Sequence, residues 1–131
     1  PGEKVICVVG DGGFQMSMGE LITLNRLRLP VKIMLLDNGV LGMVRQWQEL
    51  YFGSRYSGTV LDDNPDFVAL ANVLGIGAVY LDQPAQIDAA MAEWWDNDEP
   101  MLLHARCHPE ENVFPMVSPG VGLDQTMENK P

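Results

Sequence analysis

The stretch from Val5 to Asn38 reads VICVVGDGGFQMSMGELITLNRLRLPVKIMLLDN, and its pattern decides the fold class. A short apolar run, Val5 to Val9, stops at Gly10-Asp11-Gly12-Gly13. Bounded by glycine and lacking alternation, that run predicts a strand buried on both faces. From Phe14 to about Leu27, residues Met18, Leu21, Ile22 and Asn25 recur with a helical period, and Pro30 stops the helix. A second buried strand, Val31 to Leu36, then runs into Asp37-Asn38. This order and length is that of a parallel β–α–β unit. Open parallel sheets bind ligands beyond the carboxyl ends of their strands. Asp11 and Asn38 stand at two such ends.

Working outward, Asn38-Gly39 is a turn signal, and Gly42 to about Phe52 reads as a helix with Met43, Trp47, Leu50 and Tyr51 on one face. Residues 53–63 are loop-like and long for a plain connection, so they are expected to be functional or mobile. Asn64-Pro65 reads as an N-cap followed by proline at the first helical position. That helix runs to Leu74, with Gly75 just past its end. Ala78–Leu81 is a short strand, Pro84 opens a helix to about Trp95, and Met101–Cys107 is the last strand. Residues 110–131 lack periodicity and are expected to form an irregular tail, with 1–109 as the folded domain. Alternating strands and helices predict an α/β fold, a parallel sheet with flanking helices.

The chain has 131 residues and a net charge of −10, enough length for one domain with a real core. Its few scattered Lys and Arg exclude a phosphate-backbone footprint, so nucleic acid is not an expected partner. The sequence has neither a membrane-length apolar run nor a signal-peptide pattern. The start at Pro1 reads as a piece cut from a longer polypeptide. Cys7 and Cys107, both expected in buried strands, fit free thiols in a reducing cytoplasm. Cys107-His108 has no second ligand pair at metal spacing, which argues against zinc.

The glycine-rich turn before a helix offers free N–H groups to an anion. Asp11 would repel a phosphate placed there unless a divalent cation lay between them. Mg²⁺ takes one or two carboxylates together with phosphate oxygens and water. Asn38 offers a neutral oxygen from the neighbouring strand end, and Val40 a backbone carbonyl. Each motif is also an ordinary tight turn, and only their matching positions raise the metal–phosphate reading. A Mg²⁺–nucleotide binder of another α/β class stays open at this point. The lack of Gly-Lys-Ser/Thr excludes a P-loop, and the lack of G-x-G-x-x-G disfavours a nicotinamide dinucleotide. Met43 and Trp47 read most simply as core packing, and His104 as a satisfied core histidine. Arg45 is expected to face solvent, His108 to be exposed, and Asp62, Asp63 and Asp66 to be a solvated loop and helix start.

Gly10-Asp11-Gly12, then residues 13–37, then Asn38 resembles the diphosphate-binding signature of thiamine diphosphate-dependent enzymes. That signature usually ends in Asn-Asn, whereas here the pair is Asp37-Asn38. Leu41–Ser57 (LGMVRQWQELYFGSRYS), Asn64-Pro65-Asp66-Phe67, Pro115-Met116-Val117 and Pro119-Gly120 make the chain similar to acetolactate synthase catalytic large subunits. The resemblance covers essentially the whole chain, as the C-terminal part of a Rossmann-like thiamine diphosphate-binding domain. It implies Asp11, Asn38 and the Val40 carbonyl as Mg²⁺ ligands. It implies that Gly10, Gly12 and Gly13 approach the diphosphate, that Gly42 and Met43 line the cofactor pocket, and that Trp47 bounds the substrate site.

The same resemblance implies a transferase of branched-chain amino acid biosynthesis. Such an enzyme decarboxylates pyruvate and condenses the product with a second 2-ketoacid. The activating glutamate would come from the N-terminal domain of a dimer mate, FAD from a middle domain, and regulation from a small subunit. No catalytic residue is expected within these residues, and the fragment alone is expected to be inactive. Two other readings remain beside it. One is a non-catalytic binding or assembly module of the same fold, and the other is a different thiamine diphosphate-dependent decarboxylase or carboligase.

Overall fold

The structure is a computed structural model that describes residues 3–129. Pro1 and the last two residues of the expected tail lie outside the described residues. Four parallel strands form one sheet in the order β1-β2-β4-β3: β1 (Val5–Gly10), β2 (Val31–Asp37), β3 (Gly77–Leu81) and β4 (Met101–Arg106). Helices α1 (Asp11–Ser17), α2 (Glu20–Leu27) and α4 (Phe67–Val73) pack on one face, and α5 (Ile87–Trp95) on the other. Helix α3 (Gly42–Tyr51) lies beyond the strand ends. The parallel sheet with flanking helices is as expected.

Alternation along the strands splits the core in two. Ile33, Leu35 and Leu102 meet Phe14, Leu21, Phe67 and Ala71 on one face. Met101 and Leu103 meet Ala90 and Trp94 on the other. Trp94 is fully buried and donates its indole N–H to the carbonyls of Ile33 at 3.1 Å and Met101 at 3.2 Å. Lys32, also fully buried, ends in bonds to Asn97 Oδ1 and the Glu99 carbonyl, each 2.8 Å. Burial lowers the pKa of its ammonium group.

Several expectations change. Strand β1 lies at the sheet edge, with Val5, Ile6 and Val8 at 54%, 49% and 60% exposure rather than buried on both faces. Its apolar run is built to be covered, but only β2 pairs with it among the described residues. Cys7 on this strand is therefore exposed, and Cys107 is half-buried just past β4. Burial raises the Cys107 thiol pKa. The single helix expected over Phe14–Leu27 starts earlier, at Asp11, and breaks at Met18-Gly19 into α1 and α2. A glycine inside a helix forfeits about 1 kcal/mol, which favours a break there. Ile22, expected on the packed face, is 58% exposed. The helix cap before α4 is Asp66, which accepts from the Ala69 N–H at 2.9 Å, and not Asn64. Gly75, at φ +79°, ends that helix region as expected.

Residues 53–63 are tied to the turn after β2. Leu41 N–H donates to the Thr59 carbonyl and Leu61 N–H to the Gly39 carbonyl, both at 2.8 Å. Within 110–129, Met116–Val117 (β5) and Thr126–Met127 (β6) pair as a short antiparallel ribbon. Gln46, the buried side chain of α3, holds this segment by two reciprocal bonds. Its amide N–H donates to the Val113 carbonyl at 2.9 Å, and its carbonyl accepts from the Val113 N–H at 2.8 Å. Gln46→Leu should leave both Val113 groups without that partner, at a cost of about 1–3 kcal/mol. The expected readout is at least roughly fivefold faster amide hydrogen exchange at Val113, with β2 and β4 unchanged. Unchanged exchange at Val113 would show that Gln46 does not hold the segment.

Candidate functional site

Parallel register brings the predicted motifs together. Gly10 pairs with Leu36 and Asp37 with Arg106, so β1, β2 and β4 end side by side. A cleft of about 300 Å³ opens there, lined by Gly10, Asp11, Gly12, Gly13, Asn38, Val40 and Gly42, with Val8, Val9, Leu36 and Leu41 as its apolar walls. Helix α1 has no side-chain cap, so its first-turn N–H groups are not taken by one. Close neighbouring side chains explain the small residues. A Cβ on Gly12 would meet Leu41 Cδ2 at 2.6 Å, and one on Gly42 would meet Asn38 Nδ2 at 3.1 Å. Gly39 turns the chain at φ +67°, a conformation costly to other residues.

Asp11 is 1% exposed and Asp37 2% exposed. Two donors are shared between them. The Gly39 N–H lies 3.0 Å from both Asp11 Oδ2 and Asp37 Oδ1. Asn64 Nδ2 lies 2.8 Å from Asp11 Oδ2 and 3.3 Å from Asp37 Oδ1. Asp37 Oδ2 also accepts from Arg106 at 2.6 Å and pairs with His104 Nε2 at 2.8 Å. Burial raises the pKa of Asp11, with the neighbouring Asp37 adding to the rise against the Asn64 bond. Burial works on Asp37 in the same sense, but His104 and Arg106 outweigh it and hold Asp37 below the usual carboxylate value.

No group of three or more His, Cys, Asp or Glu side chains gathers around one point among the described residues. The cleft instead offers one carboxylate, one side-chain amide and a backbone turn over a glycine floor. That donor set, all oxygen and incomplete, suits a hard cation that takes its remaining ligands from a phosphate. Asn38 Oδ1 accepts from the Val40 N–H at 3.2 Å, which fixes the turn carrying both residues.

Met43 and Trp47 lie outside this cleft. They line a neighbouring apolar one of about 590 Å³ on α3, with Val44, Gln48, Phe52 and Arg55. Their exposures are 49% and 40%, so the core-packing reading of that stripe is overturned. The buried residue of α3 is the polar Gln46, because that face docks on backbone. Arg45 stacks over the Tyr56 ring at 4.0 Å rather than simply facing solvent. His108 is exposed as expected.

Sequence reasoning missed Asn64, Asp37 and Arg106. Asn64 was masked by its Asn-Pro context, and Asp37 by its place beside a stronger motif residue. His104, expected to be a satisfied core histidine, is satisfied only in part: Nε2 pairs with Asp37 at the site, while the buried Nδ1 has no hydrogen-bond partner among the described residues.

Residues 1–105 match the family model for the thiamine pyrophosphate enzyme, C-terminal TPP binding domain. The chain belongs to this family. Proteins similar to it include the acetolactate synthase isozyme 2 large subunit of Escherichia coli (strain K12). The two are 47% identical over 98% of this chain and 23% of that protein. The acetolactate synthase large subunit of Lactococcus lactis is 42% identical over 99% of this chain and 24% of its own length. The chain thus spans about a quarter of these relatives. Among solved thiamine pyrophosphate enzymes, the 4-hydroxybenzoylformate decarboxylase of Rhodococcus jostii RHA1 superposes with a TM-score of 0.75. The match is at 25% identity, over 82% of this chain and 20% of that one. Among the described residues no helix is long and apolar enough to cross a membrane.

Proposed function

We propose that this chain is the diphosphate- and Mg²⁺-binding portion of an acetolactate synthase large subunit. The observation that carries the reading is the single cleft holding Gly10–Gly13, Asn38, Val40 and Gly42 around the buried Asp11. Asp11, Asn38 and the Val40 carbonyl would hold Mg²⁺. Gly12 and Gly13 would let the diphosphate approach the first turn of α1, and Gly42 and Met43 would line the cofactor beyond it. When bound, thiamine diphosphate supplies the carbanion chemistry needed to decarboxylate pyruvate and join it to a second 2-ketoacid. The chain's own part is to anchor the cofactor and shape the substrate space. Residues 1–109 are then the cofactor-binding unit and 110–131 a tail, of which Val113 is held by Gln46 on α3.

The relatives' lengths and the bare β1 edge support a longer polypeptide as the working form, with a dimer mate completing the site. Their name, large subunit, supports a smaller regulatory partner. FAD and the activating glutamate would reside outside this chain, so these residues alone should not turn over substrate. A cytoplasmic location belongs to the same reading. Both cysteines are free thiols, as a reducing compartment keeps them.

Trp47 would set substrate choice. Its ring meets Tyr51 edge-on, with centroids 6.0 Å apart, which steadies a flat wall on the α3 cleft. Such a wall can favour an ethyl over a methyl group by about 1–3 kcal/mol. In the full-length enzyme, Trp47→Leu should shift preference from 2-ketobutyrate toward pyruvate by about tenfold or more. Competition between the two acceptors, read as product ratio, tests this. An unchanged ratio removes Trp47 from the substrate site.

A further inference from the structure

We propose that Asn64 is a positioning residue for the Asp11 carboxylate, acting from a segment outside the diphosphate motif. The proposal rests on the cofactor reading above. Gln15 Nε2 donates to Asn64 Oδ1 at 2.6 Å, which sets which way the Asn64 amide points. Its nitrogen is then turned toward both carboxylates, 2.8 Å from Asp11 Oδ2 and 3.3 Å from Asp37 Oδ1. An amide nitrogen carries two N–H groups, so it can serve both acids at once.

The far side of this arrangement is anchored. Asp37 Oδ2 is held by Arg106 at 2.6 Å and His104 at 2.8 Å, on β4. The Gly39 N–H bridges the same two carboxylate oxygens that Asn64 does. Asp11 is therefore clamped between α1, the β2 turn and the segment before α4. Two buried carboxylates repel one another, and without shared donors Asp11 would swing from its place in the cleft. Asp37 is thus more than a tolerated departure from Asn-Asn. It is the acid that Asn64 and Gly39 tie to Asp11. Partners that orient a metal ligand typically govern affinity by about 10–100-fold.

A bland alternative is that Asn64 merely fastens the segment before α4 to α1. That role would change stability but not metal affinity. The test uses the full-length polypeptide, with Mg²⁺ titrated calorimetrically at saturating thiamine diphosphate. Thermal midpoints are recorded in parallel without either ligand. Asn64→Ala should raise the apparent Mg²⁺ Kd by about 10–100-fold, alongside a lower ligand-free midpoint because two buried carboxylates lose a shared donor. Gln15→Leu, which frees the Asn64 amide to turn, should raise it by a smaller factor in the same direction.

Wild-type Mg²⁺ affinity in a folded Asn64→Ala protein overturns the proposal, as does a lowered midpoint with unchanged affinity. If Asn64→Ala does not fold, Gln15→Leu decides, and unchanged affinity there overturns it. Should Asp11→Ala bind Mg²⁺ and thiamine diphosphate as wild type does, the cofactor reading falls first and the positioning role with it.

Discussion

Asp11→Asn in the full-length polypeptide is expected to weaken Mg²⁺-dependent thiamine diphosphate binding by at least about thirtyfold. The substitution keeps size and shape but removes the cleft's anionic oxygen. Asn38 and the Val40 carbonyl are neutral, so nothing else lining the cleft supplies the charge a divalent cation needs. Losing one partner of a buried charged contact costs about 2–5 kcal/mol, and each 1.4 kcal/mol is about tenfold. The ligand-free protein should respond in the other direction. Asp11 is 1% exposed and shares its donors with Asp37. Neutralising it removes a repulsion between buried acids, so stability without Mg²⁺ should hold or rise. Calorimetry with and without Mg²⁺, paired with ligand-free melting, reads both effects. Retained affinity would remove Asp11 from the metal site, and lost stability would mean that its charge serves the fold.

Trp94→Ala is expected to destabilise the domain by about 3–5 kcal/mol, the usual cost of deleting a large buried aromatic. The ring is fully buried and forms the centre of the core layer on the α5 side. Its N–H also joins the carbonyls of Ile33 on β2 and Met101 on β4, so the substitution opens a cavity and removes a donor from two central strands. Amides of β2 and β4 should exchange about a hundredfold faster or more. The strand ends carrying Asp37 and Arg106 should lose cofactor affinity only as the fold is lost. A loss of affinity at wild-type stability would mean that Trp94 influences the cleft directly.

The sheet and most helices were legible because Val31–Leu36, Ala78–Leu81 and the helical spacings report local periodicity. The burial of β1 was not, because an apolar run shows what a strand is made for and not which neighbour is present. The break at Gly19 escaped because the apolar spacing continues through it. The glycines, Asp11, Asn38 and Val40 could be placed at one sheet edge from their positions after two adjacent strands. Asn64, His104 and Arg106 could not, because they reach that edge through pairing across 27 to 69 residues of chain. Such pairing leaves no local pattern. The helical stripe of Met43 and Trp47 was read correctly as a stripe, but periodicity cannot say whether a stripe faces a core or a cleft. The buried Gln46 on the same helix is the feature that reverses the expected sides.

The bare edge of β1 also governs how this chain would behave in a test tube. Its outer N–H and C=O groups lack a strand partner among the described residues, and its exposed valines and isoleucine are strong β-formers. Such an edge is a template for sticking to its own copies. The net charge of −10 opposes that at low ionic strength and is progressively screened as salt is added. Concentrated, salty preparations of the isolated chain are therefore where clumping should begin.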